Sequence, residues 1–271
     1  MKTVLTIAGF DPSSGAGITA DLMVFAAHGL FGTSCITAIT VQNTFGVETT
    51  EAVATDTVSR TLDCLHRDLP PAGIKIGMLA NAGTVSAVAA YIREIDPQTR
   101  PLIVLDPVLK SSDGKHLVAP DAIEVLRRDL LPEVNWITPN HDELQLLLGK
   151  TQGTDVSIPS AATELQQFGR ALAVVVTGGD QAPPVDFLLD HQSNQQFIPG
   201  KHIATTSTHG TGCAFSSALL SRLVLGDTAI EAVRAAKSYV AEAMRSAAPI
   251  GGGYGPLNHL WPLRKADTNA T

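Results

Sequence analysis

Short apolar, β-branched runs alternate along the chain with stretches whose apolar residues recur every three or four positions. "TVLTIAG" (3–9) reads as a strand, and 17–29 as a helix with Leu22, Phe25 and Ala26 on one face and Gly29 as its stop. A strand at 33–42 follows. The helix expected at 55–69 carries a stripe of Val58, Leu62 and Leu65. The pattern continues with a strand at 73–79, a helix at 82–95 and a strand at 101–108 that is apolar on both faces. A helix near 119–130, a strand at 134–138 and helices near 140–148 and 160–169 come next. A strand at 171–180 precedes a hairpin of 185–190 and 195–200, with "HQSN" at its turn. Helices near 212–225 and 227–247 close the series.

Such βα alternation predicts an α/β fold with a mostly parallel central sheet and helices on both faces. No low-complexity linker or fixed-period repeat divides it. One domain over 1–263 is expected, with a polar, disordered tail at 264–271. Open α/β sheets bind ligands outside the carboxyl ends of their strands. Those ends here are polar or glycine-rich: Gly9–Asp11, Gln42–Asn43, Asp106, Thr138–Asn140 and Thr177–Gly179. The fold logic brings them to one rim.

Composition narrows the function classes. The 271 residues are 44% hydrophobic and 17% charged, as in ordinary globular proteins. No apolar run reaches the ~18 residues of a membrane span. "MKTVLTIAGFD" meets Asp11 too soon for a signal peptide, so it reads as a first buried strand. Cys35, Cys64 and Cys213 are odd in number and without paired spacing, which points to reduced thiols and a cytoplasmic setting. A net charge of −7 without a Lys/Arg cluster argues against nucleic acid. It leaves room for a phosphorylated ligand, because backbone amides and a metal ion bind phosphate on acidic proteins.

The densest chemistry lies in "STHGTGCAFSSALLSRL" (207–223). A helix starts near Gly212–Cys213, where free N–H groups and the macrodipole create a positive end. Gly210, Thr211 and Gly212 therefore form a candidate anion hole. The same field is expected to lower the pKa of the Cys213 thiol and make it a proton acceptor or nucleophile. The plainer alternative is a small thiol packed at a helix start. "GFDPSSGAGI" (9–18) is a second glycine-rich strand-to-helix turn, with neither dinucleotide nor Walker A spacing. Asp21 follows it among apolar neighbours, in helical turns expected to face the rim. In "ITPNHDELQLLLG" (137–149), Asn140 and Glu143 share one face of a helix start. They suit either capping or Mg²⁺ held through waters. Asp106 ends an apolar strand, where a carboxylate needs a cation or donors, so a metal or phosphate network is favoured. His141 and His209 read as loop-orienting groups, and Met78 as core or as a soft wall against a flat ring.

Taken in order, "TIAGFDPSSGAGITADL", "TAITVQNTFGV", "IKIGML", "VLDPVL", "ITPNHDE", "VVVTGG", "THGTGC" and "GYGPLNH" resemble the ribokinase superfamily. More closely, they resemble its hydroxymethylpyrimidine/phosphomethylpyrimidine kinases of thiamine biosynthesis. The resemblance covers nearly the whole chain. It implies a ribokinase-like fold and ATP-dependent phosphorylation of an aminopyrimidine alcohol to its monophosphate and then its diphosphate, with Mg²⁺. It implies a substrate role for Gly9, Asp21, Gln42, Met78 and Val108, and a catalytic role for Cys213 behind the anion hole of Gly210, Thr211 and Gly212. ATP falls near Thr177 and Gly179, and the metal near Asp106, Asn140 and Glu143. A homodimer is also implied. The family often has Lys at the position of Thr177, commonly Ser or Thr where Phe10 stands, and Met where Leu109 stands. A pyridoxal kinase is the nearest alternative. Gln42 favours the aminopyrimidine, because an amide pairs a donor and an acceptor with ring nitrogen and exocyclic amine. A non-catalytic pyrimidine sensor is the alternative from another class, and it has no need of the anion hole or metal residues kept here.

Overall fold

The computed structural model describes residues 1–110, 114–115, 117–150, 157–179 and 181–263. The tail expected at 264–271 lies outside them. The strands are β1 (Thr3–Phe10), β2 (Phe31–Asn43), β3 (Gly46–Ala52), β4 (Gly73–Ile76), β5 (Leu102–Leu105), β6 (Trp136–Ile137), β7 (Ala173–Val176), β8 (Val185–Leu189) and β9 (Gln195–Pro199). They form one nine-stranded sheet in the order β3-β2-β1-β4-β5-β6-β7-β8-β9. From β2 through β7 neighbours run parallel, while β3, β8 and β9 join antiparallel at the two edges.

The helices are α1 (Gly17–Ala27), α2 (Thr55–Asp68), α3 (Ala82–Glu94), α4 (Pro120–Val125), α5 (His141–Leu147), α6 (Ile158–Gln166), α7 (Thr211–Leu225) and α8 (Ala229–Arg245). Central strands send alternate residues to opposite cores because the strand period is two. Ile103 and Leu105 of β5 join Val88 and Ile92 of α3 on one face. Val104 between them joins Phe25 of α1 and Leu219 of α7 on the other. Both faces are covered, which is why these strands read as continuous apolar runs. Each such side chain contributes roughly 1.5–3 kcal/mol of burial.

Two elements differ from the sequence pattern. The strand β3, "GVETTEA", buries only Val47 and is otherwise polar and open, so it carries no alternation to detect. The helix expected near 119–130 is α-helical only to Val125, continues as a π turn at Leu126–Leu130 and tightens to a 3₁₀ turn at Leu131–Glu133. At the rim, β1 slips register against β2 between Ala8 and Gly9, and β2 slips against β3 between Val41 and Gln42. Each slip falls where the strand reaches a residue singled out for binding.

Candidate active site

The strand ends and the loops beyond them enclose a cleft of about 580 Å³. Of the residues expected from the sequence to bind substrate, ATP or metal or to form the anion hole and catalytic group, all but Asp21 line it. Gly9, Gln42, Met78 and Val108 are among the lining residues, with Met78 Sδ 3.2 Å from where a Gly9 Cβ would stand. Asp106, Asn140 and Glu143 line it too, with Thr177 bridged to Asn140 and Gly179 nearby in the chain, and Gly210 to Cys213 line it at the head of α7.

Glycine is required where the two loops meet. Gly210 caps α7 at φ 89°, and a Cβ there would fall 1.9 Å from the Gly15 carbonyl oxygen. Gly17 opens α1 at φ 58°, with the Gly9 carbonyl 2.3 Å from any Cβ. Both values are in the left-handed region that favours glycine. Gly212 differs, since the nearest atom to a Cβ there is an Asp106 oxygen at 3.8 Å. Its bareness leaves the cleft open and is not needed for packing.

Asp11 organises the first loop. It accepts from the Ser13 amide (2.8 Å) and hydroxyl (2.7 Å), the Gly15 and Ala16 amides (3.1 and 2.9 Å), and His209 Nε2 (2.8 Å). Burial alone would raise its carboxyl, but donors from His209, Ser13 and Ala16 outweigh it and hold the group at about 2. His209 thus ties the loop before α7 to the loop before α1, as a loop-orienting residue.

Asp21 is corrected by the structure. It is fully buried, and its carboxylate accepts from Thr6 Oγ1 (2.6 Å), Lys75 Nζ (3.0 Å) and Ser217 Oγ (2.7 Å). Helix α1 turns this residue into the sheet rather than to the rim, so its side chain is buried behind the cleft and does not line it. It positions Lys75, which the sequence reading passed over. Lys75 lines the cleft. Burial opposes its charge, but Asp21, Cys213 and Asp106 together hold the ammonium above its usual range. A lysine inside the apolar run "GIKIGML" is the signal that could have found it, because a charge there requires a buried partner.

The Cys213 expectation is also corrected. The helix N-terminus was expected to lower the thiol; instead burial, with the Asp106 and Asp21 charges, pushes it up to about 12. Lys75 and the Gly17 N–H act in the opposite direction and are outweighed. Asp106 is itself raised, first by burial and then by Asp21, against Lys75 and a 3.0 Å bond from Ser216 Oγ.

Asn140 and Glu143 make a reciprocal cap on α5. Asn140 Oδ1 accepts from the Glu143 amide at 2.8 Å, and Glu143 Oε2 from the Asn140 amide at 2.9 Å. Burial and neighbouring Asp106 raise the Glu143 carboxyl to about 8. Capping and cation binding are compatible here, because each carboxylate oxygen keeps a second lone pair. Thr177 donates its amide to the Pro139 carbonyl at 2.9 Å, which sets the turn after β7 against α5.

This architecture and site define a small-molecule kinase with a ribokinase-like fold. A family model described as phosphomethylpyrimidine kinase matches residues 11–258. A hydroxymethylpyrimidine/phosphomethylpyrimidine kinase from Synechococcus elongatus is 41% identical, over 96% of this chain and 97% of that one. The chain also matches a thiamine biosynthesis bifunctional protein from Geobacter sulfurreducens at 38% identity, spanning 95% of itself and 52% of that longer protein. Among solved structures, an ADP complex of Bacillus subtilis pyridoxal kinase superposes with a TM-score of 0.85 at 31% identity, covering 98% of this chain and 99% of that one. The chain belongs to the phosphomethylpyrimidine kinase family.

Proposed function

We propose that the protein transfers the γ-phosphoryl group of ATP to the hydroxymethyl oxygen of 4-amino-5-hydroxymethyl-2-methylpyrimidine. A second ATP then phosphorylates the monophosphate to the diphosphate used in thiamine diphosphate synthesis. The observation that carries this reading is one cleft holding both an amide for the heterocycle, Gln42, and a glycine-lined helix N-terminus for the phosphoryl group, at Gly210 to Gly212. Its volume of about 580 Å³ lies within the range of small-molecule sites. We further propose a homodimer in the cytoplasm. Among the described residues, no helix is long and apolar enough to cross a membrane.

The residues fit a magnesium ion bound with ATP. Among the described residues no cluster of three or more His, Cys, Asp or Glu forms a closed metal cage. Mg²⁺ instead takes one or two carboxylates plus waters and substrate phosphates. Asp106 and Glu143 are two buried carboxyl groups, both raised first by burial, and Asp106 adds to the rise at Glu143, as expected of groups that a cation would stabilise. When bound, the ion would neutralise charge on the transferring phosphoryl group. Gln42 and Met78 orient the ring, and the backbone amides at the start of α7 receive phosphoryl oxygens. Cys213 accepts the alcohol's proton only as a thiolate, which its raised pKa makes scarce at neutral pH.

Release of ADP, measured with the aminopyrimidine alcohol, its monophosphate and pyridoxal in turn, tests the reading. Turnover of the first two, with pyridoxal weaker, is expected. Turnover of pyridoxal alone would establish the second reading, which the overlap with a pyridoxal kinase favours. Tight pyrimidine binding without ADP release would indicate a sensor.

A further inference from the structure

His209 lies between the two glycine loops with the Cδ2 edge of its ring against Gly15, where a Cβ would come within 2.2 Å of His209 Cδ2. Its backbone amide donates to the Gly255 carbonyl at 3.1 Å. The ring is therefore held in place from two sides. Its Nε2 lies 2.8 Å from Asp11 Oδ2 and 3.1 Å from the atom placed as Gln42 Nε2. One ring nitrogen thus faces a carboxylate and an amide together.

Hydrogen chemistry leaves one arrangement. Asp11 already accepts from Ser13, Gly15 and Ala16, so it faces His209 as an acceptor. His209 Nε2 must carry a proton to meet it. An N–H cannot also accept from an amide NH₂, since two donors would then face each other. A half-turn about the last side-chain bond exchanges the oxygen and nitrogen of Gln42, and the network decides which is present. The oxygen of Gln42 therefore faces His209, and its NH₂ group points away. Asp11 ionised throughout the neutral range agrees with this order of donors and acceptors.

We propose that His209, held by Asp11, is a positioning residue that fixes the orientation of the Gln42 amide and thereby the order in which the cleft reads donor and acceptor on a heterocycle edge. The proposal rests on Gln42 facing the ring, as in the function proposed above. The Gln42 oxygen keeps one lone pair for a ligand donor on the His209 side, and the NH₂ takes a ligand acceptor beside it. An exocyclic amine next to an unprotonated ring nitrogen satisfies both. The 4-oxo analogue, a carbonyl next to a ring N–H, presents the reversed order and meets a like group at both positions. A free amide would turn over and accept either ligand.

Two measurements test the device. In the free protein, long-range ¹H–¹⁵N spectra of the His209 ring are expected to show Nε2 protonated at pH 7–8. An unprotonated Nε2 would overturn the proposal whatever the substrate, and this readout needs no turnover. In the second, kcat/KM is compared for the 4-amino and 4-oxo pyrimidine alcohols in wild type and in His209→Phe, which keeps the ring on Gly15 and removes the N–H. The amino-to-oxo ratio is expected to fall at least tenfold in the variant, partly through a gain on the oxo compound. Equal losses on both ligands would show a merely structural role and sink the proposal. Should His209→Phe fail to fold, the spectra still decide. Absence of turnover by wild type on either pyrimidine, with Nε2 protonated, would count against the proposed function and leave the amide lock standing.

Discussion

Removing the Cys213 thiol separates the two phosphorylations, and the size of the effect should depend on pH. A thiol held at about 12 is ionised in about one molecule in 10⁵ at pH 7 and about one in 10³ at pH 9. General-base assistance is worth about 10²–10⁴-fold when the base is fully available. At pH 7 the scarcity of thiolate cancels the whole of that advantage. Between pH 7 and 9 the thiolate population rises about a hundredfold. Cys213→Ala should therefore cost the alcohol step almost nothing at pH 7 and up to about tenfold at pH 9. The monophosphate has its second pKa near ~6, so it attacks as a dianion without a base, and its step should be spared at both values. Single-turnover rates on alcohol and monophosphate at pH 7 and 9 measure this. Parallel loss on both substrates would refute the base role. A loss on the alcohol already complete at pH 7 would show that bound ligands lower the thiol far below its value in the free cleft.

Other perturbations probe the supporting groups. Lys75→Met leaves the Asp21 carboxylate buried without its cation, which should lower stability by about 3–5 kcal/mol in chemical denaturation; unchanged stability would mean that Asp21 takes up a proton at little cost. Gly212→Ala adds a methyl with room beside Asp106, so melting should barely change while kcat/KM falls, whereas Gly210→Ala should damage both through its clash with Gly15. Glu143 is raised from 4.5 to about 8 in the fold, so the folded state holds its proton while the unfolded chain releases it. Stability should thus fall as pH rises from 4.5 to 8, and Glu143→Gln should flatten that part of the profile in equilibrium unfolding.

The order of strands and helices was legible because the central strands are buried on both faces and helices such as α2 and α8 carry an apolar stripe. The edge strand β3 was not, since an exposed strand such as "GVETTEA" has little burial to impose a pattern. The glycine loops were legible for a related reason. Gly17 and Gly210 are needed for backbone conformation and close approach, and a run of glycines before an apolar helix displays that need in one short window. The charge states were not legible. The helix N-terminus argued for an acidic thiol at Cys213, but burial in the assembled cleft raises it, helped by carboxylates from Asp106 after β5 and Asp21 in α1, far away in sequence. The same holds for Gln42, whose amide is oriented by a histidine 167 residues later, itself oriented by an aspartate 198 residues earlier. Sequence windows show which groups a site contains; the donor–acceptor order among those groups is set by contacts between loops. Protonation in this cleft is therefore a property of the assembled rim, and a change at Asp11 or His209 should alter the chemistry presented at Gln42 without touching the residue itself.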